Sequence, residues 1–391
     1  MPLTTETMVL NMGPHHPSTH GVLRFILRTD GEVIHLCRPD IGYLHRGLEK
    51  IAEQLPYAHF MPYTDRLDYL AAMNCNLGYA ITVEQAADIE VPPRAEYIRV
   101  LVAELNRIIS HLISVGTFAM DIGAVTPFTH TIREREWVND LFEELCGARL
   151  TYNYIRFGGV VFDLPEGFLD RLSRFLDYFE PRLEQYNRFI SKNKIFKERL
   201  VGVAVISPQQ ALDYALVGPN LRASGIDWDL RRDEPYSVYG DLEFDVPVGA
   251  AESGVLGDCY SRYWIRIWEM EQSVLILRQC IAKMPEGPYL NKSKRKLKVE
   301  PGEIYVRTEA PRGELGFYLI SQGGPKPHRL RIRTGSFSAM SIVEEVSSGL
   351  MMADLVALIA SLDVVAPEVD RYCTRGGPVR RIAHGAERIA K

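Results

Sequence analysis

The spacing of hydrophobic and polar residues changes along the chain, and each spacing predicts a different kind of element. Near the start, "GVLRFILRT" and "EVIHLCRP" alternate apolar and polar residues on either side of the turn "DGE", which predicts a β-hairpin within residues 8–37. From about residue 45 to 200 the apolar residues recur every three or four positions, as in helices. The clearest stretch, residues 95–124, follows "VPP" and predicts a buried central helix.

Helical spacing also appears in stretches on both sides of the middle of the chain, at residues 134–147, 164–190, 259–284 and 350–363. Strands are predicted to return in "EIYVRTEAPRGELGFYLIS" and "HRLRIRT". The stretch "GPNLRASG" (218–225) predicts a loop that carries an arginine, because it is rich in turn-forming residues.

These elements predict an α+β fold that is mainly α, with a central bundle of long helices. An N-terminal β region covers residues 1–40 and a helical core covers 41–285. A basic linker follows at 286–301, for which a solvated surface loop is the plain interpretation. A β element with a closing C-terminal helix covers 302–371, and residues 372–391 form a basic, flexible surface tail.

The composition is that of an ordinary globular protein and excludes some functions. Of 391 residues, 46% are hydrophobic and 24% are charged, and the net charge of -5 argues against a nucleic-acid binder driven by bulk charge. The sequence contains no run of about 18 or more apolar residues, so it predicts no membrane span. The first residues lack the basic and apolar regions of a signal peptide, so the expected location is cytoplasmic.

The six cysteines are spread too widely for a disulfide framework or for a cysteine-based metal site. No two of them form a CxxC pair, which favours buried, reduced thiols. They stand at Cys37, Cys75, Cys146, Cys259, Cys280 and Cys373.

The stretch "VLNMGPHHPSTHGVLRF" places three histidines within six positions: His15, His16 and His20. A metal site is disfavoured, because Pro17 keeps His16 out of the helical conformation that a pair spaced by four needs. A structural turn and a functional loop with a proton-exchanging imidazole both stay open on these residues alone.

A series of motifs, in order over about residues 8–371, resembles one family. The family that these motifs resemble is that of the complex I subunit known as NuoD in bacteria and as NdhH in cyanobacteria and chloroplasts. The motifs are "NMGPHHPSTHGVLR", "IGYLHRGLEKIAE", "VPPRAEYIRVLVAELNRI", "DIGAVTPF", "REREWVNDLFE", "YIRFGGV", "LRASGIDWDLR", "GELGFYLIS" and "IASLDVVAPEVDR".

The resemblance implies a fold like that of the [NiFe]-hydrogenase large subunit, of which "HRGLE" (45–49) is a remnant. Hydrogenases hold their metal with two CxxC pairs, and this sequence has neither. Val365 and Glu368 stand where the C-terminal pair would lie, and a valine cannot ligate a metal. We therefore expect no metal on this chain, and a hydrogenase large subunit is disfavoured.

In this family the cavity holds a quinone headgroup, and the residues 1–40 and 302–371 are expected to line and close it. The resemblance implies that His20 contacts one quinone oxygen and that Tyr69, in "DRLDY", contacts the other. Asp121, in "AMDIGA", is expected behind His20 as its carboxylate partner, where it would fix the tautomer and raise the basicity of the imidazole. His16 is expected to be a structural residue of the quinone loop.

The resemblance also implies a 4Fe-4S cluster on a neighbouring subunit. Arg46 matches an arginine that lies against this cluster, where a cation would stabilise the reduced state; a plain structural salt bridge is the alternative. Thr151 stands where many members have a cluster-contacting histidine. Because threonine cannot titrate, we expect a cluster potential with weak pH dependence, which would suit a low-potential quinone such as menaquinone.

The implied function is that of one subunit of a proton-translocating quinone oxidoreductase that takes electrons from NAD(P)H or a related donor and is active only in the assembled complex. The implied partners are the Fe–S subunit of NuoB type, the NuoC-type subunit and the membrane subunit of NuoH type. The expected location is peripheral, on the cytoplasmic side of the bacterial inner membrane. The alternative that is not an enzyme is a scaffold with a vestigial cavity.

Overall fold

The computed structural model describes residues 7–15, 21–291 and 297–370. Its strands are β1 Met8–Met12, β2 Arg24–Asp30, β3 Val33–Asp40, β4 Ile155–Arg156, β5 Gly159–Val160, β6 Gly302–Ala310, β7 Gly313–Ser321 and β8 Arg329–Arg333. They form antiparallel sheets in the orders β1-β2-β3, β4-β5 and β6-β7-β8.

The longer helices of the described residues are α2 Tyr57–Thr64, α3 Ala72–Ala87, α4 Pro93–Asp121, α5 Val125–Cys146, α6 Phe168–Tyr186, α11 Cys259–Lys283 and α14 Met352–Leu362. The shorter ones are α1 Leu48–Ala52, α7 Lys194–Leu200, α8 Pro208–Asp213, α9 Gly218–Ala223, α10 Leu230–Asp233, α12 Gly335–Ser341, α13 Val343–Val346 and α15 Ala366–Val369. A π-helical turn covers Asn187–Ser191 and a 3-10 turn covers Tyr239–Asp241.

The core is built around two long helices that the sequence predicts, α4 and α11. Helix α4 begins with Pro93 at a position where the missing N–H is not needed, and it is buried on all sides over most of its length. Helix α11 is capped by Asp258, whose side chain accepts from the backbone N–H of Ser261 at 2.6 Å. Helices α3, α5 and α14 pack on α4, so that α4 passes through the middle of the molecule.

The predicted mixture of helices and strands is confirmed, and about half of the residues are helical. The N-terminal hairpin is confirmed as β2 and β3, in which Phe25 and Leu27 point into the core. It gains a third strand, β1, whose five residues alternate too briefly to be identified from the pattern.

The prediction of a loop at 218–225 is wrong. Residues Gly218–Ala223 form a short helix, and the side chain of Arg222 is fully buried. The turn-forming residues predicted a loop, but Arg222 is held in place by buried ion pairs with Glu269 and Glu309. Because these carboxylates are far from Arg222 in the sequence, the local pattern could not indicate them.

Several predicted segments lie partly or wholly outside the described residues: 1–6 and 16–20 of the N-terminal β region, 292–296 of the basic linker, residue 371, and the tail 372–391. Among the helices of the described residues, none is both long enough and apolar enough to cross a membrane.

Candidate functional site

The turn between α2 and α3 carries the candidate tyrosine and is anchored to α4. Asn106 of α4 accepts from the backbone N–H of Met73 at 2.8 Å and donates to the carbonyl oxygen of Leu70 at 2.9 Å. Asn74 donates in turn to the carbonyl oxygen of Ala103 at 3.1 Å. Buried amide hydrogen bonds of this kind fix the backbone on both sides of Tyr69.

Tyr69 is half-buried and belongs to a group of polar and charged side chains that we call the Tyr69 cluster. Its members are Asp68, Tyr69, Ser110, Arg312 and Asp363. Arg312 lies at its centre, in the turn between β6 and β7. Its guanidinium donates to Asp68 at 2.5 Å, to the Ser110 hydroxyl at 3.0 Å, and to the carboxylate and carbonyl oxygens of Asp363 at 3.3 and 2.9 Å.

Burial and the charges of this cluster both change the pKa of Tyr69. Burial raises the pKa of the Tyr69 hydroxyl, the carboxylates of Asp68 and Asp363 add to the rise, and Arg312 opposes it. Burial also raises the pKa of Asp68, with a further contribution from Asp363 and against Arg312. Tyr69 is therefore a neutral hydroxyl at physiological pH, able to donate a hydrogen bond.

The C-terminal segment after α14 closes around the same region. Asp370 accepts from the backbone N–H groups of Gly42 and Leu44 at 2.8 and 2.5 Å, which ties this segment to the loop before α1. A Cβ placed on Gly21 would lie 3.4 Å from the Cβ of Ala366. The chain that leads out of the histidine loop therefore runs beside residues 363–370.

His16 and His20 lie outside the described residues, so their predicted roles stay predictions. Asp121 is half-buried at the C-terminal end of α4, between the exposed side chains of Met120 and Val125. It lies three helical turns, about 16 Å, beyond Ser110 and on the same face of α4. The structure therefore gives Asp121 a position apart from the Tyr69 cluster.

A set of arginines on the other side of the turn forms what we call the arginine face: Arg46, Arg66 and Arg156. Arg46 is exposed and donates to the carbonyl oxygen of Arg66 at 2.5 Å, and burial together with Arg66 lowers the pKa of Arg46. Arg66 pairs with buried Asp65 at 2.9 Å. Burial lowers the pKa of Arg156, and Asp65 opposes that change.

Thr151 joins the arginine face through its neighbours. Asn153, two residues on, donates to Asp65 at 3.5 Å, and Arg156 follows in the same segment. Burial raises the pKa of Asp65 to about 6, although Arg66 and Asn153 oppose the rise. The structure thus brings together Arg46 and the segment of Thr151, which sequence reasoning assigned to the same place.

Sequence reasoning missed Asp68, Arg312, Arg66 and Arg156 as members of the site. Arg66 and Asp68 lie in "DRLDY", and Arg156 lies in "YIRFGGV". Their charges within motifs that the resemblance uses could have indicated that they belong to the site. Arg312 gave no such signal, because it reaches Asp68 from 244 residues away. Among the described residues, no group of three or more His, Cys, Asp or Glu side chains is arranged to hold a metal ion.

Fold and site together define the class: a mixed α/β protein in which a half-buried tyrosine lies between buried carboxylates and an arginine-rich face. Residues 121–371 match the family described as the respiratory-chain NADH dehydrogenase 49 Kd subunit. The chain belongs to this family. The predicted NuoD-type family is therefore confirmed, and with it the prediction of a subunit of an oxidoreductase.

Curated relatives, each named as the D-type subunit of an NADH-quinone oxidoreductase, align along nearly the whole chain. The copy numbered 1 of Anaeromyxobacter sp. (strain K) is 58% identical over 366 residues, which cover 94% of this chain and 97% of the relative. The copy numbered 2 of Sorangium cellulosum (strain So ce56) is 55% identical over 369 residues, 94% and 95% of the two chains. The relative from Geobacillus kaustophilus (strain HTA426) is 49% identical over 371 residues, 95% and 100%.

Proposed function

We infer that this chain forms the quinone-reducing site of an NADH:quinone oxidoreductase, together with a neighbouring subunit that carries a 4Fe-4S cluster. The inference combines the family and the names of the relatives with the arrangement of charged and titratable groups around Tyr69. Quinone is the substrate, and the activity belongs to the assembled complex.

One observation carries the inference: the turn after α2 contributes to two different chemical environments within five residues. Arg66, which pairs with Asp65, belongs to the arginine face, and Asp68 and Tyr69 belong to the Tyr69 cluster. Tyr69 is the third residue after Arg66, so their Cα atoms are at most about 11 Å apart. An electron donor held at the arginine face would lie within this short span of a quinone at Tyr69.

The arginine face suits an iron–sulfur cluster ligated by thiolates, which carries net negative charge. Guanidinium groups near such a centre favour its reduced form, because reduction adds a further negative charge. Arg46 supplies an exposed cation there, and the neighbouring Thr151 supplies no titratable group. The partner in this contact is the NuoB-type subunit.

Reduction of a quinone to a quinol takes two electrons and two protons. The electrons come from the partner's cluster, one proton comes from the hydroxyl of Tyr69, and the other comes from the imidazole of His20. A hydroxyl whose pKa is raised by burial stays protonated until charge develops on the quinone oxygen. Asp121 orients the imidazole of His20 and stabilises its protonated form. His16 shapes the loop in front of it.

The wider setting extends the same proposal. In this proposal the fold is of the [NiFe]-hydrogenase large-subunit type. Residues 1–40 line the quinone cavity, and residues 41–285 form the helical core. The linker 286–301 joins this core to residues 302–371, and the basic tail 372–391 follows. The chain contacts NuoC-type and NuoH-type subunits as well. The complex lies on the cytoplasmic side of the inner membrane, to which this chain is peripheral.

Photoaffinity labelling of the assembled complex with a short-chain azidoquinone tests this function. We expect label on the peptides that contain the histidine loop and residues 65–72, with loss of that label when unlabelled quinone is added in excess. Label that is confined to other subunits, or that excess quinone does not displace, would contradict a quinone site on this chain and would favour a scaffold.

A further inference from the structure

A second group of charges lies in the interior, between α4, α9, α11 and β6, and the proposed function does not use it. We call it the inner cluster. Its side chains are at most 2% exposed, and they are Glu104, Arg107, His111, Arg222, Asp229, Arg231, Glu269 and Glu309. Burying so many ionisable groups is costly unless each is paired, so their contacts are informative.

In one half of the inner cluster, each carboxylate has several hydrogen-bonding or charged partners. Glu104 accepts from the Tyr239 hydroxyl at 2.6 Å and from the Ser273 hydroxyl at 2.7 Å, and it lies 3.3 Å from Arg231. Arg231 donates to Asp229 at 2.7 Å. Arginines lower the pKa values of Glu104 and Asp229, that of Asp229 to about 2, against the effect of burial. Both carboxylates are therefore ionised at neutral pH.

The other half is centred on Arg222, which donates to Glu309 at 2.8 Å and also to Glu269. The Nε2 atom of His111 lies 2.8 Å from Glu269. Burial lowers the pKa of His111, although Glu269 opposes that change, so the imidazole is neutral and donates from Nε2. Its Nδ1 atom finds no hydrogen-bond partner among the described residues.

The inner cluster therefore carries a net charge of −1 when every one of its carboxylates is ionised. It holds three guanidinium groups against four carboxylates, and its histidine is neutral. A single added proton makes the cluster neutral. Glu309 is the carboxylate that takes it, because burial and the nearby Asp229 raise the pKa of Glu309 to about 7, against the opposing effect of Arg222 and Arg231.

Glu309 meets charged and titratable groups from the elements packed against it. From α9, α10, the loop after α10 and α4 these groups are Arg222, Asp229, Arg231, Tyr236 and Arg107. From β7 the group is Glu314, which is opposite Glu309 in the register of β6 and β7. Glu269 of α11 is connected to Glu309 through the shared Arg222. The proton at Glu309 therefore changes the charge felt by the whole inner cluster.

Two structural links connect the inner cluster to the Tyr69 cluster. Glu309 and Arg312 flank the same tight turn between β6 and β7. Arg266 of α11 lies 3.6 Å from Asp363 of the Tyr69 cluster, and both Asp363 and Glu269 of the inner cluster act on its charge. Burial lowers the pKa of Arg266 to about 10. Charges interact more strongly in a protein interior than in bulk water.

The opposite side of the inner cluster lies against a surface groove of about 530 Å³. Arg231, Tyr239 and Gln272 are among the residues that line it. Because Tyr239 also donates to Glu104, this groove lies next to the inner cluster, although Arg231 and Tyr239 are themselves almost fully buried.

We propose that the inner cluster is a one-proton site, held at Glu309, which takes up a proton when the Tyr69 cluster becomes more negative. This inference rests on the proposed function, in which the O–H bond of Tyr69 breaks and its proton goes to the reduced quinone. The Tyr69 cluster is then left with one more negative charge. A proton from water in the groove forms a new O–H bond on Glu309, and it leaves again when Tyr69 is reprotonated.

The test uses the assembled complex and infrared difference spectra recorded on reduction in the presence of quinone, in H₂O and in D₂O. The wild-type complex should show a carboxylic-acid C=O band that grows on reduction and shifts in D₂O. Glu309→Gln should lose this band, and Glu134→Gln should keep it, because Glu134 is a buried, ion-paired carboxylate outside the inner cluster. Tyr69→Phe should also lose the band, because no proton leaves that position.

Enzyme rates give a second readout that does not depend on assigning the band. Above pH 7 the protonated fraction of Glu309 falls about tenfold per pH unit, so the pH profile of wild-type quinone reduction should contain a step near pH 7 that Glu309→Gln lacks. A band and a pH step that persist in Glu309→Gln would overturn the inference, even where Tyr69→Phe abolishes quinone reduction. Full quinone reduction by Tyr69→Phe would instead overturn the proposed function itself.

Discussion

Thr151 has a backbone φ of 53°, a left-handed conformation that β-branched residues rarely adopt. Strain of this kind costs about 1–3 kcal/mol and persists where the surroundings hold the residue in place. Histidine and asparagine adopt this conformation more easily. Replacing Thr151 by histidine or by asparagine should therefore relieve part of this strain, and only histidine would also add a titratable group near the arginine face.

Thr151→His is expected to make the potential of the partner's cluster pH-dependent. Histidine titrates between pH 5 and 8, so the slope should approach about 59 mV per pH unit for a one-electron couple, whereas the wild type should show a weak slope. The measurement is a redox titration of the cluster in the assembled complex at two pH values.

Thr151→Asn is the matched control, because it relieves the same backbone strain without adding a titratable group. It should keep the weak slope of the wild type. A full proton-linked slope in the wild type would contradict the expectation that a threonine here uncouples the cluster from pH.

At the scale of elements, helix α4 supports both clusters. It presents Asn106 to the turn that carries Tyr69, Ser110 to the Tyr69 cluster, and Glu104 and His111 to the inner cluster. These four residues are among the buried polar side chains of α4, which lie between apolar side chains along the helix. One helix therefore contributes polar groups to both clusters.

Asn106→Ala is expected to lower the free energy of unfolding of the full chain by about 2–4 kcal/mol. The substitution removes two buried hydrogen bonds and leaves the N–H of Met73 and the carbonyl of Leu70 without these partners. Chemical denaturation checks the value.

Thr129→Ala on α5 serves as the control, because its hydroxyl bonds locally to the carbonyl of Thr126 at an exposed position. Its effect should stay within about 0.5 kcal/mol. Equal stability of Asn106→Ala and the wild type would mean that the turn is held by other contacts.

At the scale of the whole molecule, the inner cluster makes stability depend on pH in two opposite ways. The pKa of Asp229 is lowered to about 2, so its contribution is present above its unfolded pKa of about 3.9 and is lost as the pH falls towards 2. The pKa of Glu309 is raised to about 7, so its contribution is present below its unfolded pKa of about 4.3 and is lost as the pH rises through 7.

Asp229→Asn is therefore expected to destabilise the full chain by about 3–5 kcal/mol at pH 7, because two buried arginines lose a charged partner. The difference from the wild type should stay level down to about pH 4 and shrink below it. Urea unfolding of both proteins from pH 7 to pH 3.5 checks this. A difference that grows as the pH falls would contradict the assignment of an ionised Asp229.

The long helices and the β2–β3 hairpin could be predicted because their signals are local. Hydrophobic spacing marks α4 and α11, and the turn at Gly31 marks the hairpin. The Tyr69 and inner clusters could not be predicted, because their ion pairs join residues such as Arg312 and Asp68 that lie 244 positions apart. A single sequence carries no local signal for such a pair.

The roles of His20, Tyr69 and Asp121 came from the resemblance and not from any pattern of spacing. For Tyr69 the structure adds burial, together with the carboxylates of Asp68 and Asp363, as the causes that raise the pKa of its hydroxyl, which the motif alone did not reveal. For Asp121 it adds a place at the end of α4. These three roles stay predictions, and Tyr69 is the one that a single substitution can test most directly.

The decisive measurement is the activity of Tyr69→Phe in the assembled complex with two electron acceptors, an artificial one and quinone. We expect the artificial reaction to stay at the wild-type rate and quinone reduction to fall by about 10²-fold or more, because a proton donor is lost. Tyr214→Phe, whose hydroxyl donates to Glu345 at 3.5 Å, should behave as wild type in both assays. Wild-type quinone reduction by Tyr69→Phe would contradict the central claim that this tyrosine serves the quinone.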